Sequence, residues 1–302
     1  MSQLTSLIRK VIWSELHFSF WQRLGVNFTK KHYSSPIPDL REIRKRQEIW
    51  NKSSLAGIDF NTTSQLYLLE NIFPNFKSEL NFTSGKTKNP HEFYLNNTGF
   101  GLPDAGVLHC MIRHFKPKKI IEIGAGNSTL VSARASLLNK EDGIETQLIS
   151  IEPYPKQYLL DSFDGLEKLI VEKVENMGVD FFDQLEDGDI LFIDTSHVLR
   201  IGNDVNFLFL EVLPRLKKGV IVHIHDIFLP YNYPKYWILN NMAFLSEQYI
   251  LQAFLSCNKA FEILFANYFM SKEFTQKMNS IFIKPDRDTQ EIHGGSFWIR
   301  RI

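Results

Sequence analysis

The chain has 302 residues, 44% of them hydrophobic and 23% charged, which supports a sizeable packed core and excludes disorder, collagen or a coiled coil as its main state. Its 34 Lys and Arg balance 34 Asp and Glu, so no global electrostatic case for nucleic acid or a membrane surface survives. Two cysteines, Cys110 and Cys257, cannot build a disulfide framework or a thiolate zinc site and point to a reducing, cytoplasmic setting.

Taken in chain order, the basic start at Arg9 and Lys10 leads into an apolar stretch broken by Glu15 and His17, which predicts no signal peptide. No apolar run reaches about 18 residues, so no transmembrane helix is expected. Residues 1–50 carry nine Lys/Arg against four Asp/Glu, and residues 141–194 carry three against fifteen. These are two solvated faces, or a basic segment that docks on the acidic one or on an anionic substrate. Pro36 and Pro38 predict a linker at 34–39. Leu66, Leu68, Leu69, Ile72 and Phe73 share one helical face, with Pro74 as its expected end. Residues 1–99 therefore read as a helical and loop extension, a lid or substrate region.

From residue 100 the rhythm changes. Asp104 is a candidate cap for a helix through His114. Short apolar strands are predicted at 119–124, 146–151, 169–174, 190–194 and 220–226, with two more at 261–267 and 296–300. Helices are predicted at 128–139 and 205–216, the second broken at Pro214. Strands that alternate with helices predict a mostly parallel, doubly wound α/β sheet over 100–302. Fully buried parallel strands should be continuously apolar, and these are.

The turn Gly124-Ala125-Gly126-Asn127-Ser128 follows a strand and opens a helix. Glycines there let a backbone approach a ligand closely, and the helix start offers free N–H groups. The dinucleotide fingerprint needs a third glycine at position 129, where Thr129 stands, so a nicotinamide cofactor is poorly served. Glu122, two residues before Gly124, suits a cationic ligand better than a diphosphate; its bland use is as a cap. Glu152 ends the next strand, where a carboxylate can accept both hydroxyls of a ribose; its bland use is as a surface acid before a turn.

At these residues the chain resembles the class I S-adenosylmethionine-dependent methyltransferases, in a bacterial branch with an added N-terminal region. The resemblance covers about 100–230. It implies a seven-stranded Rossmann-like sheet with an antiparallel last strand near 294–299. S-adenosylmethionine is the implied cofactor, bound by Glu122, Gly124, Ala125, Gly126, Asn127, Ser128, Glu152 and Asp194, with the 174–176 loop beside the adenine. Residues 96–101 would fold over the cofactor or form a plain turn.

Asp194, His197, His225 and Asp226 follow the two strongest strands, where open α/β sheets bind ligands. A neutral imidazole suits removal of an acceptor proton, so His197 or His225 is the candidate base, oriented by Asp194 or Asp226. Relatives that hold magnesium in these loops imply a rival metal site at Asp194, His225 and Asp226. Ile227 departs from their oxygen-rich pattern, and His ligands favour iron, zinc or manganese. His223, two residues before His225, reads either as part of such a set or as a buried core residue. The aromatic loop 228–237 is an acceptor wall, a clasp onto the next helix or a contact in a homo-oligomer. The expected activity is methylation of an oxygen of a small molecule, sugar or natural-product intermediate. An iron oxygenase using His223, His225 and Asp226, or a cofactor-binding scaffold without turnover, are the alternatives.

Overall fold

The computed structural model describes residues 15–27, 29, 31–97, 99–282 and 294–302. Arg9 and Lys10 of the basic start, and Thr98 of the 96–101 turn, lie outside these. Two compact units divide between Gln47 and Glu48. The described part of the first holds helices Glu15–Arg23 and Leu40–Lys45. Asp39 starts the second of these by accepting from the Arg41 backbone N–H (2.9 Å), and Pro36 and Pro38 stay outside any helix.

The second unit, Glu48–Ile302, is built on one seven-stranded sheet. Its strands are β1 Lys119–Ile123, β2 Gln147–Ile151, β3 Lys168–Ile170, β4 Ile190–Ile193, β5 Ile221–Ile224, β6 Phe261–Ala266 and β7 Phe297–Arg301. The order is β3-β2-β1-β4-β5-β7-β6. β1 to β5 run parallel, and β7 lies antiparallel between β5 and β6. β4 and β5 are buried at every residue, as expected of strands covered on both faces whose sequences are apolar, but for His223 of β5. β1 pairs with β2 on one side and β4 on the other, so the chain order reverses there and leaves a crevice above the strand ends.

The site is framed by helices α1 Leu102–Phe115, α2 Asn127–Glu141 and α3 Glu247–Leu255, with α4 Asn267–Glu273 and α5 Thr275–Phe282 beyond them. Residues before α1 also feed the sheet's core: Leu55, Leu69, Phe73 and Phe82 are buried in the same cluster as β1 and β4. Among the described residues no helix is long and apolar enough to cross a membrane.

Three sequence-based expectations are corrected. α1 starts at Leu102 after Gly101, and Asp104 sits inside its first turn, buried, rather than capping it. Pro74 does not end its helix. Thr62–Tyr67 passes through a wider turn at Leu68–Ile72 into a 3-10 stretch, Phe73–Glu79, where Pro74 occupies the first turn and needs no N–H partner. β3 stops at Ile170, because Val171 to Lys173 lie at the exposed edge. The helix expected at 205–216 with a break at Pro214 is present: it begins at Asp204, capped by the Asn203 side chain, and ends in a 3-10 turn around Pro214.

Candidate active site

The turn after β1 is fixed by the backbone on both sides. The Gly124 N–H donates to the Ile151 carbonyl, and the Asp194 N–H donates to the Ile123 carbonyl, each at 2.9 Å. Gly124 has φ of +88°, a region that glycine enters without penalty. Thr129, at the position of the absent third glycine, accepts the Gly126 N–H on its hydroxyl (2.9 Å) and so closes the turn onto α2. Asn127 donates its side-chain amide to Asn97 (3.1 Å). Asn97 also accepts from the Gly99 and Phe100 N–H groups (3.0 and 2.7 Å), so the segment before α1 is a turn docked on the glycine turn.

Glu122 lies beneath this turn, not in the crevice. It is fully buried, and its two oxygens accept from the Ser128 and Ser150 hydroxyls, both at 2.7 Å. Burial lifts its pKa to about 7 despite those bonds. Glu122 ties β1, β2 and α2 together and has no free oxygen aimed at a ligand. Ser128 is likewise spent on this internal bond.

A cavity of about 310 Å³ opens above the strand ends, lined by Gly124, Glu152, Tyr154, Val174, Asp194 and Thr195 among others. One Glu152 oxygen accepts from the Tyr154 N–H (2.7 Å). Glu152 is therefore oriented at the cavity wall and half-buried, and burial raises its pKa. Two larger clefts, of about 810 and 690 Å³, lie on the outer side of α2. They contain none of the residues that follow β4 and β5.

Beside the cavity the structure brings Asp194, His197, His225 and Asp226 together. His197 Nε2 lies 3.2 Å from Asp194 and 3.4 Å from Asp226, while its Nδ1 lies 2.8 Å from Glu247. His225 Nδ1 lies 3.5 Å from Asp194 and 3.6 Å from Asp226, while its Nε2 lies 3.4 Å from Asp104. Burial opposes charge on both rings, but the surrounding carboxylates outweigh it, so both imidazoles are held protonated. His197 is lifted to about 10 and His225 moves in the same direction. Burial likewise opposes ionisation of Asp104, but His225 and the Gly295 and Ser296 N–H groups hold its carboxyl down at about 2. His197 and Asp226 adopt φ of 58° and 56°. Non-glycine residues rarely take this conformation, and it concentrates at functional sites.

Glu247 and Asp104 were not among the residues expected here. Glu247 opens α3, about fifty positions from His197, and a first-turn acid reads as ordinary helix chemistry. Its N–H and that of Ser246 donate to the His197 carbonyl (3.1 and 2.9 Å), so one residue supplies both the ring and the cap of α3. In sequence Asp104 passes for a helix cap. Three donors hold it: the Gly295 and Ser296 N–H groups and the Asn267 amide, at 3.0, 2.8 and 2.8 Å.

His223 stays out of the cluster. It stacks on Phe192 with ring centroids 3.9 Å apart and bonds the Ser296 hydroxyl (2.8 Å) in the core, so the set of His223, His225 and Asp226 does not converge on one point. The loop after β5 is a clasp. Phe228 packs edge-on against Tyr233, Trp237 and Tyr268. Gln248 of α3 accepts from the Phe228 N–H and donates its own N–H to the Tyr233 hydroxyl (3.1 and 2.9 Å).

Residues 121–227 match the family model of a methyltransferase domain. An uncharacterised protein of Archaeoglobus fulgidus is 32% identical over 176 residues, covering 56% of this chain and 78% of that protein. Among solved structures, the apo form of CmcI-N160 aligns with a TM-score of 0.42 at 17% identity, over 76% of this chain and 83% of that one. CalS11, a TDP-rhamnose 3'-O-methyltransferase of calicheamicin biosynthesis, aligns with a TM-score of 0.36 at 13% identity, over 80% and 93%.

Proposed function

Because the chain belongs to the class I S-adenosylmethionine-dependent methyltransferases, we propose that it moves the sulfonium methyl group of S-adenosylmethionine onto an oxygen of a small-molecule acceptor, such as a sugar or a natural-product intermediate. The observation that carries this reading is the adjacency of two features. A cavity walled by the Glu152 carboxylate shares Asp194 with the cluster of His197, His225 and Asp226.

In this reading the Gly124–Gly126 turn receives the amino-acid tail of the cofactor. Glu152 accepts the ribose hydroxyls, and Val174 and Glu175 border the adenine. The acceptor hydroxyl enters beside His197, in line with the carbon–sulfur bond. An oxygen–carbon bond forms, the carbon–sulfur pair returns to sulfur, and the acceptor proton passes to the cluster. His197 is the better base of the two, since its side chain is 16% exposed against 7% for His225, and its Nε2 lies against Asp194, which lines the cavity. In the ligand-free protein that nitrogen is protonated. A sulfonium cation arriving beside Asp194 competes for the same carboxylate, lowers the imidazole pKa and frees the base. Positioning supplies the rest, because methyl transfer requires the reacting atoms in line and water kept away.

Isothermal titration of the full chain with S-adenosylmethionine, followed by transfer of radiolabelled methyl to pools of hydroxylated small molecules, tests the proposal. Saturable one-to-one binding and label in an acceptor are expected. Absence of binding would sink it.

A further inference from the structure

The cleft of about 810 Å³ on the outer side of α2 shares no lining residue with the cavity walled by Glu152. Its volume falls in the range of small-molecule sites. Arg134 of α2 is fixed in this cleft by its own neighbours. Its Nη2 donates to the Glu79 carbonyl (2.8 Å) and to the Asn81 side chain, and its guanidinium lies over the Phe82 ring, 4.9 Å from the centroid. Nε and Nη1 find no acceptor among the described residues. Arg134 is half-buried, and burial holds its pKa below the usual arginine value. A cation placed there without a counter-ion carries a desolvation cost that an arriving anion offsets.

Negative charge lines the same cleft. Glu92 spends one oxygen on the Thr87 hydroxyl (2.7 Å) and keeps the other, and Asp164 has no partner among the described residues. Neither acid forms an ion pair with Arg134. His91 stacks on Phe163 with ring centroids 4.5 Å apart and donates Nε2–H to the Tyr158 carbonyl (2.8 Å), which leaves its Nδ1 as an acceptor. Leu130, Ala133 and Leu137 of α2 add an apolar wall. A simple anion would suit Arg134 and be opposed by two carboxylates, and a simple cation would meet the reverse, since like charges brought together in a site are costly. A molecule that carries both charges matches the whole lining.

We propose that this cleft binds a zwitterion built on an apolar body, a free amino acid or a short peptide, whose carboxylate pairs with Arg134 and whose ammonium pairs with Glu92. Its guest and S-adenosylmethionine bind together, because the two cavities have no residue in common.

The test is isothermal titration of the full chain with L-phenylalanine and with the dipeptide Leu-Phe, each with and without saturating S-adenosylmethionine. Saturable one-to-one binding of at least one probe, unchanged by the cofactor, is expected. Tighter binding of the dipeptide would identify a peptide as the guest, and tighter binding of phenylalanine a free amino acid. Acetylating the amine of the probe that binds, or amidating its carboxylate, removes one charge and should weaken it by about 10- to 100-fold, the worth of a charged hydrogen bond. Arg134→Gln should cause a loss of the same size and leave cofactor affinity unchanged. Should Arg134→Gln fail to fold, as a melting curve would show, Glu92→Gln is expected to give the same loss from the ammonium side. The cofactor has an amino-acid end of its own, so displacement of the probe by S-adenosylmethionine would place the probe in the crevice and overturn the proposal. Absence of binding by both probes, equal binding of the acetylated or amidated forms, or wild-type affinity in a folded Arg134→Gln or Glu92→Gln protein would each overturn it as well.

Discussion

A Cβ atom placed on Gly124 would lie 1.9 Å from the carbonyl oxygen of Asp194. The loops after β1 and β4 therefore cross with no room for any side chain. Gly124→Ala faces two costs: a left-handed backbone worth about 1–3 kcal/mol of strain, and a clash with backbone that cannot swing aside as a flexible side chain would. The expected outcome is a clearly lowered melting temperature together with loss of S-adenosylmethionine binding, because Asp194 and the turn must both move. Gly126 provides the contrast, since nothing in the protein lies within 4 Å of a Cβ built there. Gly126→Ala should melt like the wild type and bind the cofactor more weakly, as its methyl group would meet only the ligand. Wild-type affinity in Gly126→Ala would mean that the cofactor does not run over this turn.

Glu152 tests the other end of the cofactor. The Tyr154 N–H orients its carboxylate from the backbone, and hydrogen bonds to a charged group contribute roughly 1.5–3 kcal/mol each. Glu152→Ala should raise the dissociation constant for S-adenosylmethionine by about 10- to 100-fold in a calorimeter, with little change in melting temperature. Glu152→Gln, which keeps one acceptor, should fall between the two. Equal affinity in all three proteins would remove the ribose assignment.

Much of the sheet was legible because parallel strands covered on both faces are predominantly apolar: β4 is wholly so, and β1 and β5 are so but for Lys119, Glu122 and His223. The glycine turn was legible for a local reason, since its conformation depends on residues adjacent in the chain. Helix ends were less so. Asp104 carries the signature of a cap, yet the Gly295 and Ser296 N–H groups, nearly two hundred residues away, draw it inward. Glu122 shows the same limit. Its spacing to Gly124 suits a ligand contact, but whether an acid faces a cavity or a serine depends on the neighbouring strand, here through Ser150 of β2. The partnership of Glu247 with His197 joins two loops across about fifty residues, and no periodicity or motif reports such a pairing.

The burial of Glu122 has a pH signature. Its folded-state pKa, about 7, lies above the ordinary value of 4.5. Between those values the folded chain keeps a proton that the unfolded chain has released, so stability is fully present below pH 4.5 and is lost as pH rises through 7. Glu122→Gln holds no such proton and leaves one serine hydroxyl with a weaker acceptor. Denaturant midpoints taken from pH 4.5 to 7.5 should fall for the wild type relative to the variant. Parallel profiles would show that Glu122 is ionised in the folded protein throughout.

The two histidines should separate by what their removal does. His225 faces Asp104 at 3.4 Å, so His225→Ala leaves that buried carboxylate without its cationic partner, held by the Gly295, Ser296 and Asn267 donors alone, and breaking such a pair costs about 3–5 kcal/mol. His197 is the more exposed of the two, and its Nε2 lies against Asp194, which lines the cavity. His197→Ala should retain S-adenosylmethionine binding while methyl transfer falls by about 10²- to 10⁴-fold, the usual contribution of a positioned base. The measurement is label transfer at saturating cofactor, alongside melting curves for both variants. A His197→Ala protein that transfers methyl at the wild-type rate would hand the proton to Asp226 and leave His197 a structural residue, anchored to Glu247 and the start of α3.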